Sequence, residues 1–174
     1  MLSTLIQSKT RLKLILRFFL NPESSAYLRG LADEFNESTN SVRVELNRFE
    51  EAGLIQARKE GNKKMYQVNT DFPMFKELQR IAFKHFGLDK IIDQVIAKLG
   101  KINAVYLTGD LARGLDTNIV DLTIVGENID TAYLAKLVSK AEKLIEKRIR
   151  TLVYDSISKV EMEKPYLLVY GHEI

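Results

Sequence analysis

Residues 38–69 read STNSVRVELNRFEEAGLIQARKEGNKKMYQVN, and the apolar period changes once within them. Val42, Leu46 and Phe49 recur at helical spacing, with Leu54 and Ile55 adding apolar surface near the end. Ser38 or Thr39 supplies a hydroxyl that can accept an orphan N–H at the helix start. The helix is expected to run from Thr39 to Ala52 and to stop at Gly53. Beyond it lie two short extended segments around Gly61-Asn62, residues that tolerate the positive φ of a tight hairpin. Lys59, Lys63 and Lys64 crowd that tip.

Upstream, Leu5, Leu12, Ile15, Leu16, Phe19 and Leu20 predict one amphipathic helix over Thr4–Leu20. Asn21-Pro22 ends it, because the residue before proline is pushed out of the helical region. A second helix is expected over Tyr27–Phe35, with Leu28, Leu31, Ala32 and Phe35 on one face, followed by a turn at Asn36-Glu37. Helix, helix, turn, helix and basic hairpin is the order of a winged helix-turn-helix.

The stretch 26–69, above all ELNRFEEAGLI followed by the basic hairpin, resembles the winged-helix domains of ArsR-like and MarR-like bacterial transcriptional regulators. The resemblance covers about the first 70 residues and implies binding of double-stranded DNA, with the helix from Thr39 in the major groove and the wing on the backbone. The DNA-contacting set it implies comprises Ser38, Thr39, Asn40, Arg43, Asn47 and Arg48, with Lys59, Lys63 and Lys64 on the wing. Asn40, Arg43 and Asn47 suit base edges, since Arg pairs bidentately with guanine and Asn with adenine. The lysines suit phosphates. Glu45, Glu50 and Glu51 are expected to point away from that surface.

Composition narrows the alternatives. The 174-residue chain has no cysteine, which excludes disulfides, cysteine-based zinc sites and thiol catalysis. His85 and His172 are far apart and lack neighbouring ligands, so neither a metal nor any other cofactor is expected. His85 falls at a helix end, where an imidazolium would suit the C-terminal dipole. Lys9, Arg11, Lys13 and Arg17 interrupt the apolar N-terminus before it reaches the roughly 18 residues of a membrane span. A cytoplasmic protein with no membrane contact is expected. Residues 1–87 hold 14 Lys and Arg against 10 Asp and Glu, and the remainder 12 against 13, so the basic excess lies in the first half.

Residues 71–100 read as a helical connector. One helix begins near Pro73 and buries Phe75, Leu78, Ile81, Ala82 and Phe86; after Gly87 a second runs from Leu88 to Leu99. From Ile102 the pattern alternates: strand INAVYLT, a turn and short helix at GDLARG, strand VDLTIVG, a helix over Thr131–Arg148, strand IRTLVY, and a fourth strand in YLLVYG. The helix is expected to bury Leu134, Leu137, Val138, Ala141, Leu144 and Ile145.

The segment LTGDLARGLDTNIVDLTIVG, residues 107–126, resembles the minimal nucleotidyltransferase domain of the DNA polymerase beta-like superfamily. That family's pattern is G-S, then A-R-G, then D-h-D, where h is apolar; the glycine and serine hold a phosphate and the two aspartates hold divalent metal. Two hard cations about 4 Å apart activate the attacking oxygen and stabilise the leaving phosphate. Gly109 matches the glycine, and Ala112, Arg113 and Gly114 match A-R-G. Asp110 stands at the serine position, Ile119 at the first aspartate and Asp121 at the second. A third carboxylate, usual on a later strand, is absent from Ile149–Tyr154, with Asp155 just beyond and Asp110, Asp116 and Asp121 an alternative ligand set. Asp121 is otherwise expected to accept backbone or Arg113 hydrogen bonds.

The fold class read from the sequence is α+β in two domains: a winged helix-turn-helix over 1–70, the connector over 71–100 and a small α/β nucleotidyltransferase-like sheet domain over 101–174. The expected function is a DNA-binding regulator, homodimeric, whose second domain lacks transfer activity and serves ligand sensing or assembly through a degenerate nucleotide site of Gly109, Asp110, Arg113, Gly114 and Asp121, or through a protein partner. The alternatives are an active metal-dependent nucleotidyltransferase with a winged-helix recruitment domain, and an antitoxin-like protein-interaction module.

Overall fold

A computed structural model describes residues 2–163 and 165–172, so the outermost residues of the expected domain ranges, 1 and 173–174, lie outside it. The chain divides into two compact units, Met1–Ala82 and Phe83–Ile174. Both are mixed α and β, and each holds one sheet.

The first unit opens with two helices where the periodicity predicts one: α1 (Leu2–Leu5) and α2 (Lys9–Leu20). Ser8 separates them by taking an extended conformation and capping the second helix, its hydroxyl accepting from the Arg11 N–H at 3.2 Å. A serine competes well for this role because its oxygen satisfies a donor that the helix start leaves free. The buried face also differs: Leu14 and Phe18 are fully enclosed, whereas Leu12 and Ile15 are half-buried. Asn21-Pro22 ends α2 as expected.

A strand that propensity did not signal follows, β1 (Ser25–Tyr27), leading directly into α3 (Leu28–Phe35). Asn36 closes α3 in the left-handed conformation, which asparagine tolerates better than most residues. Next come α4 (Thr39–Glu51), β2 (Ile55–Glu60) and β3 (Lys63–Val68). The sheet order β1-β3-β2 is antiparallel throughout. Of the two hairpin-tip residues, Gly61 alone takes a positive φ, 57°, the pattern of a II′ turn and one that leaves Asn62 unstrained.

Three helices on a small sheet enclose Leu14, Phe18, Leu31, Val42, Leu46 and Ile55. Arg17 is buried as well, held by Glu34 at 2.8 Å and by the Ser24 hydroxyl at 2.8 Å. Burial pushes the Glu34 carboxyl above its usual range, the Arg17 charge and hydrogen bond only partly opposing it.

Helix α5 (Phe75–Phe86) begins two residues after Pro73. Ala82 and Phe86 are buried as expected, but Ile81 is exposed. His85 does not have the raised pKa of a helix-end cation: desolvation, beside the edge of the Phe86 ring at 5.2 Å, lowers it. The next helix is shorter than the expected Leu88–Leu99: α6 (Leu88–Gln94) gives way to a 3-10 turn at Ile96–Lys98.

The second unit is a four-stranded sheet built from β4 (Ile102–Thr108), β5 (Ile119–Gly126), β6 (Arg148–Tyr154) and β7 (Leu167–Gly171) in the order β6-β5-β4-β7. Between β4 and β5 lies the single turn α7 (Gly109–Ala112), and between β5 and β6 the helix α8 (Thr131–Ile145). A helix crossover is what makes β5 and β6 parallel, since parallel neighbours cannot be joined by a tight turn. The other pairings are antiparallel.

α8 ends three residues before the expected Arg148, because Glu146 turns left-handed and the Arg148 N–H donates to the Asn118 carbonyl at 2.8 Å, joining the sheet. Leu134, Leu137 and Ala141 pack inward, but Leu144, placed in the apolar face by spacing, is 52% exposed. On the opposite sheet face, Ile157, Val160, Met162 and Tyr166 cover Ala104, Tyr106 and Val125. Among the described residues no helix is long and apolar enough to cross a membrane.

Candidate nucleic-acid interface and the Asp121 site

Ser38 is the residue that caps α4, its hydroxyl accepting from the Ser41 N–H at 3.1 Å. Val42, Leu46 and Phe49 bury one side of the helix, so the remaining face is forced outward. Thr39, Asn40, Arg43 and Asn47 are exposed on it, and none of them hydrogen-bonds through its side chain to another described residue. These side chains are free to meet a ligand.

Arg48 is exposed too, but its guanidinium reaches Glu45 at 3.3 Å. Glu45 itself is buried, turned toward α2, where its carboxylate takes hydrogen bonds from Arg11 at 2.9 and 3.2 Å and from Ser8 at 3.1 Å. Burial alone would push the Glu45 carboxyl up; the bonds from Arg11 and Ser8 and the charges of Arg11 and Arg48 outweigh it and hold the pKa below the usual carboxylate range. The capped start of α2 is thereby tied to the middle of α4. No local signal in the sequence linked Glu45 to residues more than 30 positions away.

On the wing, register sets Lys59 opposite Lys64 and Glu60 opposite Lys63. Lys64 is held by Glu50 at 2.7 Å, which raises its pKa through that hydrogen bond. Glu50 therefore faces the wing instead of pointing away from it. Lys63 lies over the Tyr27 ring at 4.1 Å, a contact that keeps the charge while fixing the side chain. Lys59 forms no ion pair among the described residues. The expected basic cluster is thus one held lysine, one stacked lysine and one free lysine, and Tyr27 enters the surface as a residue that sequence reasoning passed over.

In the second unit, Thr108 pairs with Asp121 across β4 and β5, and Asp121 with Arg150 across β5 and β6. Gly109 has a φ of 69°, and a Cβ there would come within 2.5 Å of Asp121 Oδ2, so only glycine fits this approach. Arg150 donates to both carboxylate oxygens of Asp121, at 2.5 and 2.8 Å. Asp121 is therefore held by Arg150, not by Arg113, which lies 3.9 Å from Asp110.

The other acids are paired elsewhere, Asp116 with Lys147 at 3.4 Å from 31 positions away and Asp155 with Lys159 at 2.8 Å. Asp110 is exposed, and Gly114 takes a positive φ of 81° in the turn after α7. Among the described residues no three acids or histidines gather in metal-binding geometry. The structure brings Gly109, Asp121 and Arg150 together and leaves the other possible ligands in separate ion pairs.

The first unit thus has the element order and antiparallel sheet of a winged helix-turn-helix. No protein-family model matches the chain, and no curated protein sequence matches it. Among solved structures, it is similar to reduced HlyU from Vibrio cholerae N16961 at 17% identity and a TM-score of 0.38, over 48% of this chain and 82% of that one. It is also similar to AF1382 from Archaeoglobus fulgidus at 20% identity and a TM-score of 0.37, over 56% and 98% of the two chains. A protein described as a possible transcriptional regulator for arsenical resistance is similar at 23% identity and a TM-score of 0.32, over 49% and 86%. At these scores the fold assignment rests on the chain's own element order and register.

Proposed function

We propose that the chain is a DNA-binding transcriptional regulator, in which α4 enters the major groove and the β2–β3 wing lies against the phosphate backbone. The observation that carries this reading is the free outward face of α4. Asn40, Arg43 and Asn47 stand along a capped, rigidly anchored helix with no competing partner among the described residues. Free Asn and Arg side chains match the edges of adenine and guanine. Lys59 and Lys63 supply the charge that positions such a helix and makes its binding salt-dependent.

The second unit, in this reading, is a nucleotidyltransferase-like domain without transfer activity that serves ligand sensing or assembly. Supporting it, Ile119 offers no oxygen where the family pattern has its first aspartate, and the Arg150 fork occupies both oxygens of Asp121. Two copies of the chain bind paired half-sites, as two-fold symmetric winged helices do.

Selection from a pool of random duplexes tests the proposal. A recovered consensus should be bound by the wild type and lost in the double variant Arg43→Ala, Lys63→Glu. Equal binding by that variant, with its fold intact by circular dichroism, would overturn the proposed interface.

A further inference from the structure

We infer that the open edge of the second unit's sheet is a self-association surface, where β6 of one copy pairs antiparallel with β6 of a second about a two-fold axis at Leu152. Among the described residues β6 has a neighbouring strand on one side only, β5. The Arg148 N–H points inward to Asn118, and strand alternation then sends the backbone groups of Ile149, Thr151 and Val153 outward. Glu142 confirms that direction by accepting from the Ile149 N–H at 2.8 Å. The Ile149 N–H is thereby satisfied, and the donors left open on this edge begin at Thr151.

Natural edge strands are blunted by lysine, proline or a bulge. β6 carries charge only at its start, at Arg148 and Arg150, and has no lysine, proline or bulge: its sequence is RIRTLVY and its register with β5 is unbroken. Leu152 and Val153 are instead 59% and 36% exposed, on opposite faces of the sheet. The other edge strand, β7, is shorter, and its pairing with β4 shifts register between Val105 and Tyr106.

The occupant follows from the charge order along the strand. Arg148 and Arg150 lie at its start, Arg150 already closed on Asp121, and Asp155 just after its end, tied to Lys159, so an antiparallel copy sets each basic start beside the Asp155–Lys159 pair, whereas a parallel copy would stack arginine on arginine. Centred on Leu152, Thr151 faces the second copy's Val153 in a hydrogen-bonded pair, Arg150 faces Tyr154, and Leu152 meets its own counterpart. Glu142 keeps its bond to Ile149. A cavity of about 790 Å³ opens along this edge between β6 and α8, lined in part by Leu134, Ala135, Val138 and Val153. Glu142, Arg148 and Arg150 line its charged end, and the apolar part lies beside Leu134, Ala135 and Val138.

This association does not depend on the DNA-binding reading. Its test uses the absence of native cysteine. Residues facing each other in a non-hydrogen-bonded antiparallel pair have Cα atoms about 4.5 Å apart, within the range of about 4.4–6.8 Å that a disulfide spans. Full-length Leu152→Cys under mild oxidation should therefore give a covalent dimer, while Leu144→Cys, comparably exposed on α8, should not. Sedimentation should give the wild type twice the 19.9 kDa chain mass. Thr151→Pro, which deletes an outward N–H and spares those directed at β5, should sediment as a folded monomer. A monomeric wild type, a dimeric folded Thr151→Pro, or cross-linking no faster at position 152 than at 144 overturns the proposal.

Discussion

Arg150 closes its guanidinium fork on both carboxylate oxygens of Asp121, across two parallel strands that lie side by side. Bidentate pairing of this kind fixes geometry as well as charge. The position on the neighbouring strand that faces Asp121 thus carries a cation as part of the chain. A carboxylate already matched by an arginine has little to offer a divalent metal. The wild type is expected to show no nucleotide transfer with Mg²⁺ or Mn²⁺ in a radiolabel assay, and Asp121→Asn is expected to leave metal binding unchanged. Adding Ile119→Asp together with Arg150→Asp should create a metal-dependent rise in melting temperature, because it places three carboxylates on adjoining strands. Metal-dependent turnover by the unmodified chain is the outcome that sinks the inactive reading.

Glu50 restrains Lys64 at 2.7 Å. Glu50→Gln should release that lysine to a phosphate and strengthen duplex binding at low salt, steepening the slope of log affinity against log salt by about 0.9 per added contact. Fluorescence anisotropy over a salt series measures both quantities. An unchanged slope would mean that Lys64 lies away from the DNA.

Arg43 and Lys59 should fail differently. Arg43→Ala is expected to cost about 1–3 kcal/mol on the preferred site and to relax specificity at one base pair. Lys59→Ala should weaken all duplexes alike and lower the salt slope by about 1. Competition with single-base variants of the selected site separates the two, and a uniform loss from Arg43→Ala would move it from base reading to backbone contact.

Two carboxylates of the first unit, the buried Glu45 and Glu34 beside the buried Arg17, act in opposite directions on acid stability. Glu45 has a pKa held below its ordinary 4.5, so its stabilising contribution is present above that value and disappears as pH falls through the folded pKa. Glu34 has a pKa raised above 4.5, so its contribution is present below 4.5 and is lost as pH rises through the folded value. Glu45→Gln should therefore lower stability at neutral pH by about 1–2 kcal/mol, a figure reduced from that of a fully buried pair because Arg11 is partly solvated. It should also flatten the acid limb of urea-denaturation stability between neutrality and pH 3. Identical acid limbs in the wild type and variant would remove Glu45 as the titrating group.

Gly109→Ala should destabilise the second unit by about 1–3 kcal/mol, since it combines a left-handed residue with a Cβ directed at Asp121. Gly53→Ala tests the strain alone, because a Cβ at that left-handed position meets nothing within 4 Å. Thermal melts that rank Gly53→Ala as the costlier change would contradict the close approach at Asp121.

The winged-helix order was legible because each of its signals is local. A hydroxyl before an apolar period, a proline after one and a glycine at a two-residue tip each act on the few residues beside them. The same holds for the strands of the second unit, whose apolar runs are bounded by turns. The period misled where another feature outweighed it: Ser8 broke a helix whose apolar period ran on by capping the Arg11 N–H, and Leu144 stayed outside although its spacing matched the buried face.

At the candidate sites the divide is sharper. Residue type and spacing singled out Arg43, the wing lysines and the Ile119 departure as candidates from the sequence by itself. Tertiary structure alone decided which charges remain available, because the pairings Arg11–Glu45, Glu50–Lys64 and Asp121–Arg150 join residues 34, 14 and 29 positions apart. Coulomb attraction and hydrogen bonding fall away over a few ångströms in space, and only the folded chain brings these groups within that reach.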